Sequence, residues 1–138
     1  MITKKLDRYI MGGMPIYKDG GIDLSIATIY RVHGIDGAVN PLSDNWGAAK
    51  RVYGGLVMEP GCCAICTTAE ILSIPKKMHG TLGTRSCVAQ NFLACMTDSQ
   101  FVHPGFNGPL ILELKNNGPS PILVREGQHL VTLRLFKN

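Results

Sequence analysis

The sequence predicts a mostly β fold, a sandwich or barrel of short strands with one or two short helices. Glycine and proline recur at short intervals after the first ten residues and occupy 16 and 8 of the 138 positions. Between them lie apolar runs of strand composition, and this alternation of short strands with turns is typical of all-β domains. The predicted strands are IDLSIATIY, GLVM, CCAICTTAEIL, PLILELK, PILV and HLVTLRLF.

Two segments have the residue spacing of short helices. In TKKLDRYIMGGM, Leu6 and Ile10 lie one turn apart, Thr3 can cap the first turn, and two glycines end the segment. In SCVAQNFLACM, Ser86 is available as the cap. The apolar residues of this second segment recur every three or four positions, at Val88, Phe92 and Cys95. Residues 34–54 have no clear period and predict a loop or an irregular hairpin.

The composition indicates a single globular domain over residues 1–138. Hydrophobic residues make up 45% and charged residues 17%, which argues against disorder. The net charge of +4 is spread along the chain without a basic run, so we expect no nucleic-acid binding. The same charge is compatible with binding of small anionic ligands. The chain has no apolar run of the roughly 18 residues that span a membrane and no signal-peptide core, so we expect a cytoplasmic protein.

The five cysteines predict free thiols that are mostly buried, because their number is odd and their neighbours are apolar. CCAIC contains the C-x-x-C pair Cys63 and Cys66. Residues three apart on a strand point to opposite faces, so these two cannot easily hold one ion. A second ligand pair with convincing spacing is also missing from the sequence, so we predict no structural metal.

Four blocks in a fixed order carry a family resemblance. GGIDLSI opens a strand, and MEPGCCAICTTAEILSIPKKMHGTLGTRSCVAQ runs through a strand, a proline and a glycine-rich turn to Arg85 and Ser86. HPGFNGPLILELKNNGPSPI gives a turn and the strand that carries Glu113, and REGQHLVTLRLF gives a final turn and strand. This order and spacing resemble the dCTP deaminase branch of the trimeric dUTPase-like superfamily over most of residues 20–136.

The resemblance implies a dUTPase-like distorted β-barrel or jelly-roll-like fold that forms a homotrimer with active sites between subunits. The family deaminates the cytosine of dCTP without zinc, so no cofactor is implied, and Mg²⁺ enters only as a counter-ion of the nucleotide. A glutamate shuttles protons while water attacks the ring carbon, and by position this residue is Glu113. Arg85 and Ser86 match the pair that receives phosphate oxygens at a helix start.

The chain departs from the family pattern at several charged positions. RSCVAQ has Cys87 and Gln90 where the family has a serine and an arginine. FVHPG has Phe101 and His103 where the family has an arginine and an aspartate, and Thr132 replaces a glutamine of the last strand. The chain also stops before the family's tail, which closes over the nucleotide. These changes remove charge and water exclusion from a site that depends on both.

The catalytic candidates are therefore Glu113 as proton shuttle and His103 as a substitute base, since neutral imidazole accepts a proton near pH 7. The substrate-binding candidates are Arg85, Ser86, Gln90, Ser99 and Phe101. Each catalytic candidate has a simpler alternative: Glu113 facing water from the outer side of a strand, and His103 holding a turn or an interface. For Arg85 and Ser86 the alternative is a capped helix start with a solvated arginine.

Three function classes follow from this pattern. The altered site favours a trimeric binding or structural protein without turnover, for example a virus-encoded decoration or accessory protein docked in a larger assembly and located in the virion. The alternatives are an active dCTP deaminase that forms dUTP and a nucleotide-binding sensor. The expected partners are further copies of this chain and a pyrimidine deoxynucleotide, with neither membrane nor nucleic acid among them.

Overall fold

Antiparallel strands dominate the computed structural model, which describes residues 6–34, 37–42, 48–95 and 101–138. The helical elements of these ranges are a 3₁₀ turn at Leu6–Tyr9 and helix α1 at Ser86–Ala89. Neither is long and apolar enough to cross a membrane. The strands are β1 (Ile10–Met11), β2 (Ile16–Lys18), β3 (Gly21–His33), β4 (Ala48–Val52), β5 (Gly55–Met58), β6 (Cys63–Ser73), β7 (Met78–Thr84), β8 (Leu93–Cys95), β9 (Phe101–Val102), β10 (Asn107–Asn116), β11 (Ile122–Arg125) and β12 (His129–Lys137).

One large sheet runs in the order β8-β10-β6-β3-β12-β7-β9, and its strand pairs are antiparallel. Strands β1, β2 and β4 add to its long members, and β5 pairs separately with β11. The sheet curls so that its two ends approach each other. β8 is the first strand of the order and β7 the last but one, yet the backbone N–H of Cys95 in β8 donates to Thr84 Oγ1 in β7 at 3.3 Å. This curled, mostly β arrangement confirms the predicted barrel-like fold.

The core fills the inside of this curl. In β10, Leu112 and Leu114 are buried while Glu113 and Lys115 between and after them are exposed, as a period of two requires. In β12, residues 130–133 are all buried, so this strand is covered on both faces. Other fully buried side chains are Ile22, Leu24, Ile26, Ile29, Met58, Leu72, Met78, Val124 and Leu135.

Both predicted helices are shorter than the sequence suggested. The first is a single 3₁₀ turn, and Ile10 already pairs with Leu72 of β6; Thr3, its predicted cap, lies outside the described residues. The second ends at Ala89, because residue Phe92 turns the chain with a φ of 66° and the next three residues form strand β8. Ser86 is the first helical residue rather than the cap.

The glycine-rich segment MHGTLGT is a strand rather than the predicted turn. It forms β7 and pairs with β12 along its whole length. A Cβ at Gly80 would stand 2.9 Å from a methyl group of Leu133, so the glycine allows two strands of the core to pack closely. The irregular hairpin predicted for residues 34–54 is confirmed for the residues that the structure describes there, because β4 pairs with the end of β3.

The cysteines correct one prediction and confirm another. Cys66 and Cys95 are buried, but Cys62, Cys63 and Cys87 are exposed, so "mostly buried" is wrong. Cys63 and Cys66 face opposite sides of β6, as their spacing predicted. Burial raises the pKa of the Cys66 thiol to about 12 and that of Cys95 to about 11.

These thiols are expected to separate into two reactivity classes. A disulfide reagent at about pH 8 should modify the three exposed cysteines and leave Cys66 and Cys95 intact, because thiolate rather than thiol is the nucleophile. Peptide mass spectrometry after brief labelling identifies the sites, and labelling in denaturant supplies the control in which all five react. Rapid native labelling of Cys66 or Cys95 would contradict the prediction.

Candidate functional site

Arg85 and Ser86 lie where β7 passes into α1, and both line a surface cavity of about 520 Å³. The cavity draws its walls from separate parts of the chain: the β2–β3 hairpin, the β7–α1 junction and the last strand. Its lining residues are Lys18, Gly20, Thr84, Arg85, Ser86, Cys87, Thr132 and Arg134.

A buried carboxylate, that of Asp23, contacts three of the residues that line this cavity. Asp23 is 1% exposed, and its Oδ2 atom lies 2.7 Å from Lys18 Nζ and 3.0 Å from Arg85 Nε. Thr132 Oγ1 donates to Asp23 Oδ1 at 2.7 Å, and Arg85 Nη1 donates to the carbonyl oxygen of His129 at 3.0 Å. Arg85 is therefore held in place by two partners, while its side chain remains 30% exposed.

The same contacts keep Asp23 ionised. Burial pushes the pKa of Asp23 upward, but the hydrogen bonds from Lys18 and Thr132 and the charges of Arg85 and Lys18 outweigh it, so the pKa is below its usual value. At neutral pH the cavity thus combines three cationic side chains, counting Arg134, with one buried carboxylate. The resulting excess of two positive charges suits an anionic ligand.

A second buried carboxyl group supports the strand that carries Asp23. Glu70 of β6 is 0% exposed and accepts hydrogen bonds from Ser25 N at 2.8 Å and Ser25 Oγ at 2.6 Å. It also accepts from Met14 N at 2.9 Å, just before the hairpin that carries Lys18. Gly13 has a φ of 64° and a Cβ there would overlap the Glu70 carboxyl group, so this close approach requires glycine.

Glu113 lies on another part of the chain's surface. Its side chain is exposed on the outer face of β10, opposite Ile65 of β6, and Tyr30 of β3 continues the same row. It is not among the residues that line the Arg85 cavity. Within the single chain, Glu113, the predicted proton shuttle, and Arg85 and Ser86, the predicted phosphate-binding pair, lie apart.

Phe101 and His103 belong to an aromatic cluster at the edge strand β9. Phe101 is 47% exposed, stacks on His79 with a centroid distance of 5.4 Å, and meets the His103 ring edge-on at 4.8 Å. His79 stacks on Phe136 at 5.5 Å on its other side. Neither Phe101 nor His103 lines the Arg85 cavity, so their predicted roles in binding and catalysis stay predictions.

The two other candidates do not add to the cavity. Gln90 is exposed at the C-terminal end of α1 and is not among the lining residues. Ser99 lies outside the described residues. Cys87, at the position where the family pattern has a serine, does line the cavity and is exposed.

Sequence reasoning missed Asp23, Lys18 and Arg134 as parts of a site. One signal was available for Asp23: in IDLSI the two polar residues alternate with apolar ones, and a polar residue buried in a sheet needs partners. The identity of those partners depends on the hairpin register that brings Lys18 opposite Gly21, which composition does not reveal.

Comparisons with known proteins agree with this architecture. A family model described as dCTP deaminase-like matches residues 15–138. A dCTP deaminase of Pyrobaculum calidifontis is 30% identical over 131 residues, covering 89% of this chain and 73% of that protein. The structure of 2'-deoxycytidine 5'-triphosphate deaminase from Agrobacterium tumefaciens superposes with a TM-score of 0.71 at 22% identity. EIAV dUTPase superposes with a TM-score of 0.65 at 18% identity.

The lengths of these proteins differ from that of this chain. The match covers 94% of this chain in both superpositions, but 42% of the Agrobacterium chain and 87% of EIAV dUTPase. The two structures support the fold, and the family model extends over nearly all the described strands. The resemblance predicted from the four sequence blocks is therefore confirmed, and the chain belongs to the dCTP deaminase-like family.

Proposed function

We propose that this chain is a homotrimeric binding protein that recognises the phosphate groups of a pyrimidine deoxynucleotide without turning it over. The observation that carries the proposal is the cationic cavity in which Asp23 holds Arg85 and Lys18 at 3.0 and 2.7 Å. Hydrogen bonds from cationic groups to phosphate oxygens are about twice as strong as neutral ones. Such a protein needs no cofactor, and Mg²⁺ serves as a counter-ion of the nucleotide.

The placement of the other candidates supports binding rather than turnover. Gln90 is neutral and outside the cavity, so it supplies no charge to a ligand there. The His103 ring packs against Phe101 and does not line the cavity. A binding role of this kind suits an accessory or decoration protein of a larger assembly, including a virus-encoded one.

Active deamination of dCTP is the second candidate, and the exposure of Glu113 favours it. The Glu113 carboxyl group stands on the outer face of β10 beside the exposed Ile111, where an adjacent subunit can reach it. A carboxylate presented to a neighbour's cavity could take a proton from water and return it to the departing amine. The Pyrobaculum relative is named as a dCTP deaminase.

A paired binding and turnover assay separates these functions. At about 1 mM, dCTP is expected to raise the melting temperature, since a ligand at 100 times its dissociation constant adds about 2.7 kcal/mol. Chromatography of the same samples should show no dUTP above a protein-free blank. Sedimentation should give three times the chain mass of 15.0 kDa.

Glu113→Gln provides the decisive variant. It should leave the free energy of unfolding within about 0.5 kcal/mol of the wild type, because the side chain is exposed. Glu59→Gln, another exposed glutamate, is the matched control. If the wild type forms dUTP and only Glu113→Gln abolishes this, the protein is a deaminase and the proposal of a non-catalytic role fails.

A further inference from the structure

A second cavity lies where the end of β3 and the start of β6 meet β5. Its volume is about 410 Å³, and it is lined by residues 31–33, residues 56–59, Cys62 and Cys63. We propose that this cavity is a thiol-modification site, in which Cys62 forms a mixed disulfide with a small, negatively charged disulfide. The site is independent of the proposed function, because the two cavities share no lining residue within the described part of the chain.

Two cations lie side by side at this cavity. Arg31 lines it and stands directly opposite Lys50 in the antiparallel register of β3 and β4. Directly opposite residues share a face of the sheet with Cβ atoms about 5 Å apart, and like charges placed there repel each other. Both residues are exposed, and neither has an ion-pair partner among the residues that the structure describes. An incoming anion relieves this repulsion, so the pair favours a negatively charged ligand.

The register of the sheet places the Cys62 side chain on the same face as Arg31. Arg31 pairs with Ala64 of β6, and continuing this register by two residues leads to His33 and Cys62. Side chains two residues apart on a strand share a face. His33 and Cys62 both line the cavity, as this continuation requires. The thiol of Cys62 and the two cations therefore face the same ligand.

A tight turn fixes the backbone of Cys62 at the rim of the cavity. The Cys62 N–H donates to the Glu59 carbonyl oxygen at 3.0 Å, and Gly61 between them has a φ of 84°. Pro60 precedes this glycine, an order typical of a type II turn. The buried Asn116 accepts from Gly61 N at 2.8 Å through its carbonyl oxygen and donates its own backbone N–H to the Cys62 carbonyl at 3.1 Å. An ordered backbone thus presents an exposed thiol.

The rest of the lining sets the chemical class of the ligand. Leu56, Val57 and Met58 supply an apolar wall, and the volume lies within the roughly 300–1,000 Å³ of small-molecule sites. The Glu59 carboxylate also lines the cavity, so the two cations leave one positive charge in excess. This combination suits an acidic organic disulfide of the glutathione class.

The covalent step is a thiol–disulfide exchange. The Cys62 thiol gives its proton to water, and the thiolate attacks one sulfur of the ligand. The S–S bond of the ligand breaks, a new S–S bond joins Cys62 to one half, and the other half leaves as a thiolate. The ligand is itself the oxidant. Arg31 and Lys50 act by attracting its carboxylates.

Two disulfides of opposite charge test the site. Glutathione disulfide is negatively charged at neutral pH and cystamine is positively charged. Peptide mass spectrometry gives the rate at Cys62 for each reagent at low salt. Each rate is divided by that of the same cysteine in urea, which removes the intrinsic reactivity of the reagent. We expect the normalised rate with glutathione disulfide to be about tenfold higher or more. Equal normalised rates would overturn the proposal.

Removing either cation should abolish most of this preference. Arg31→Met and Lys50→Met are each expected to slow the reaction of Cys62 with glutathione disulfide about fivefold, as loss of an exposed charge contact allows. Cys87, an exposed thiol in the other cavity, is the internal reference and should change by less than about twofold. Unchanged Cys62 rates in both variants would show that these cations do not recruit the ligand and that the site is wrong.

Lys115→Met is the matched control. Lys115 is exposed and lies opposite Cys63, whose side chain alternates to the other face of β6 although the residue also borders the cavity. This variant should keep the Cys62 rate within about twofold of the wild type. If Lys115→Met slows Cys62 as much as Arg31→Met does, net charge alone controls the reaction. Modification of Cys63 instead of Cys62 would equally contradict the proposed site.

Discussion

Glu70→Ala is expected to lower the free energy of unfolding by about 4 kcal/mol, the largest effect of any single substitution considered. The Glu70 carboxyl group is fully buried and accepts hydrogen bonds from Ser25 N, Ser25 Oγ and Met14 N. Removing it leaves the buried donors of Ser25 without an acceptor, at about 1–3 kcal/mol for each, and opens a cavity between β3 and β6.

Denaturant unfolding of Glu70→Ala and two companion variants checks this prediction. Glu70→Gln keeps the shape and one acceptor oxygen but places an amide N–H group against donors, so we expect a loss of about 2 kcal/mol. Glu59→Ala removes an exposed glutamate and should change the free energy of unfolding by less than about 0.5 kcal/mol. A Glu70→Ala variant as stable as Glu59→Ala would refute the structural role of Glu70.

Asp23→Asn is expected to lower the free energy of unfolding by about 2 kcal/mol at neutral pH. It removes the negative charge that Lys18 and Arg85 share, although an oxygen remains to accept the Thr132 hydroxyl. Breaking a fully buried ion pair costs about 3–5 kcal/mol. Here the cost is smaller, because the side chains of Lys18 and Arg85 are 45% and 30% exposed and water can hydrate them.

The difference between the wild type and Asp23→Asn should depend on pH in a defined direction. An aspartate in the unfolded chain has a pKa of about 3.9, and the pKa of Asp23 in the folded protein is lower. The stabilisation is therefore complete above that value and is lost as the pH falls through the folded pKa. Unfolding curves at several pH values should converge in strong acid.

Asp19→Asn is the control for this pH series. It removes an exposed aspartate from the turn of the same hairpin and should follow the wild-type curve at every pH. A constant difference between the wild type and Asp23→Asn from neutral to strongly acidic pH would show that the charge of Asp23 does not stabilise the fold.

The sequence predicted best those strands in which the apolar residues either alternate with polar ones or form a continuous run. In β10, apolar residues alternate with Glu113 and Lys115, and in β12 the run of residues 130–133 is buried on both faces. The errors came where another requirement overrode the pattern. Gly80 of β7 is needed for close packing rather than for a turn, and the apolar residues after Phe92 pair with β10 instead of extending a helix.

The site was less predictable than the fold, because it is built by pairing between distant strands. Arg85 and Ser86 followed from the family resemblance, and the structure places both on the cavity. Asp23 and Thr132 are 109 positions apart, and only the pairing of β3 with β12 brings them together. Lys18 and Arg134 become neighbours of Arg85 for the same reason, so local sequence could not identify them.

The carboxylate of Asp23 also affects the entropy of ligand binding. A lysine or arginine that is fully mobile loses up to about 2 kcal/mol of rotamer freedom when a ligand immobilises it. Lys18 and Arg85 are already ordered by Asp23 at 2.7 and 3.0 Å, so part of that loss has occurred on folding. The cavity is thus preorganised, with two of its three cations held in place before any anion enters.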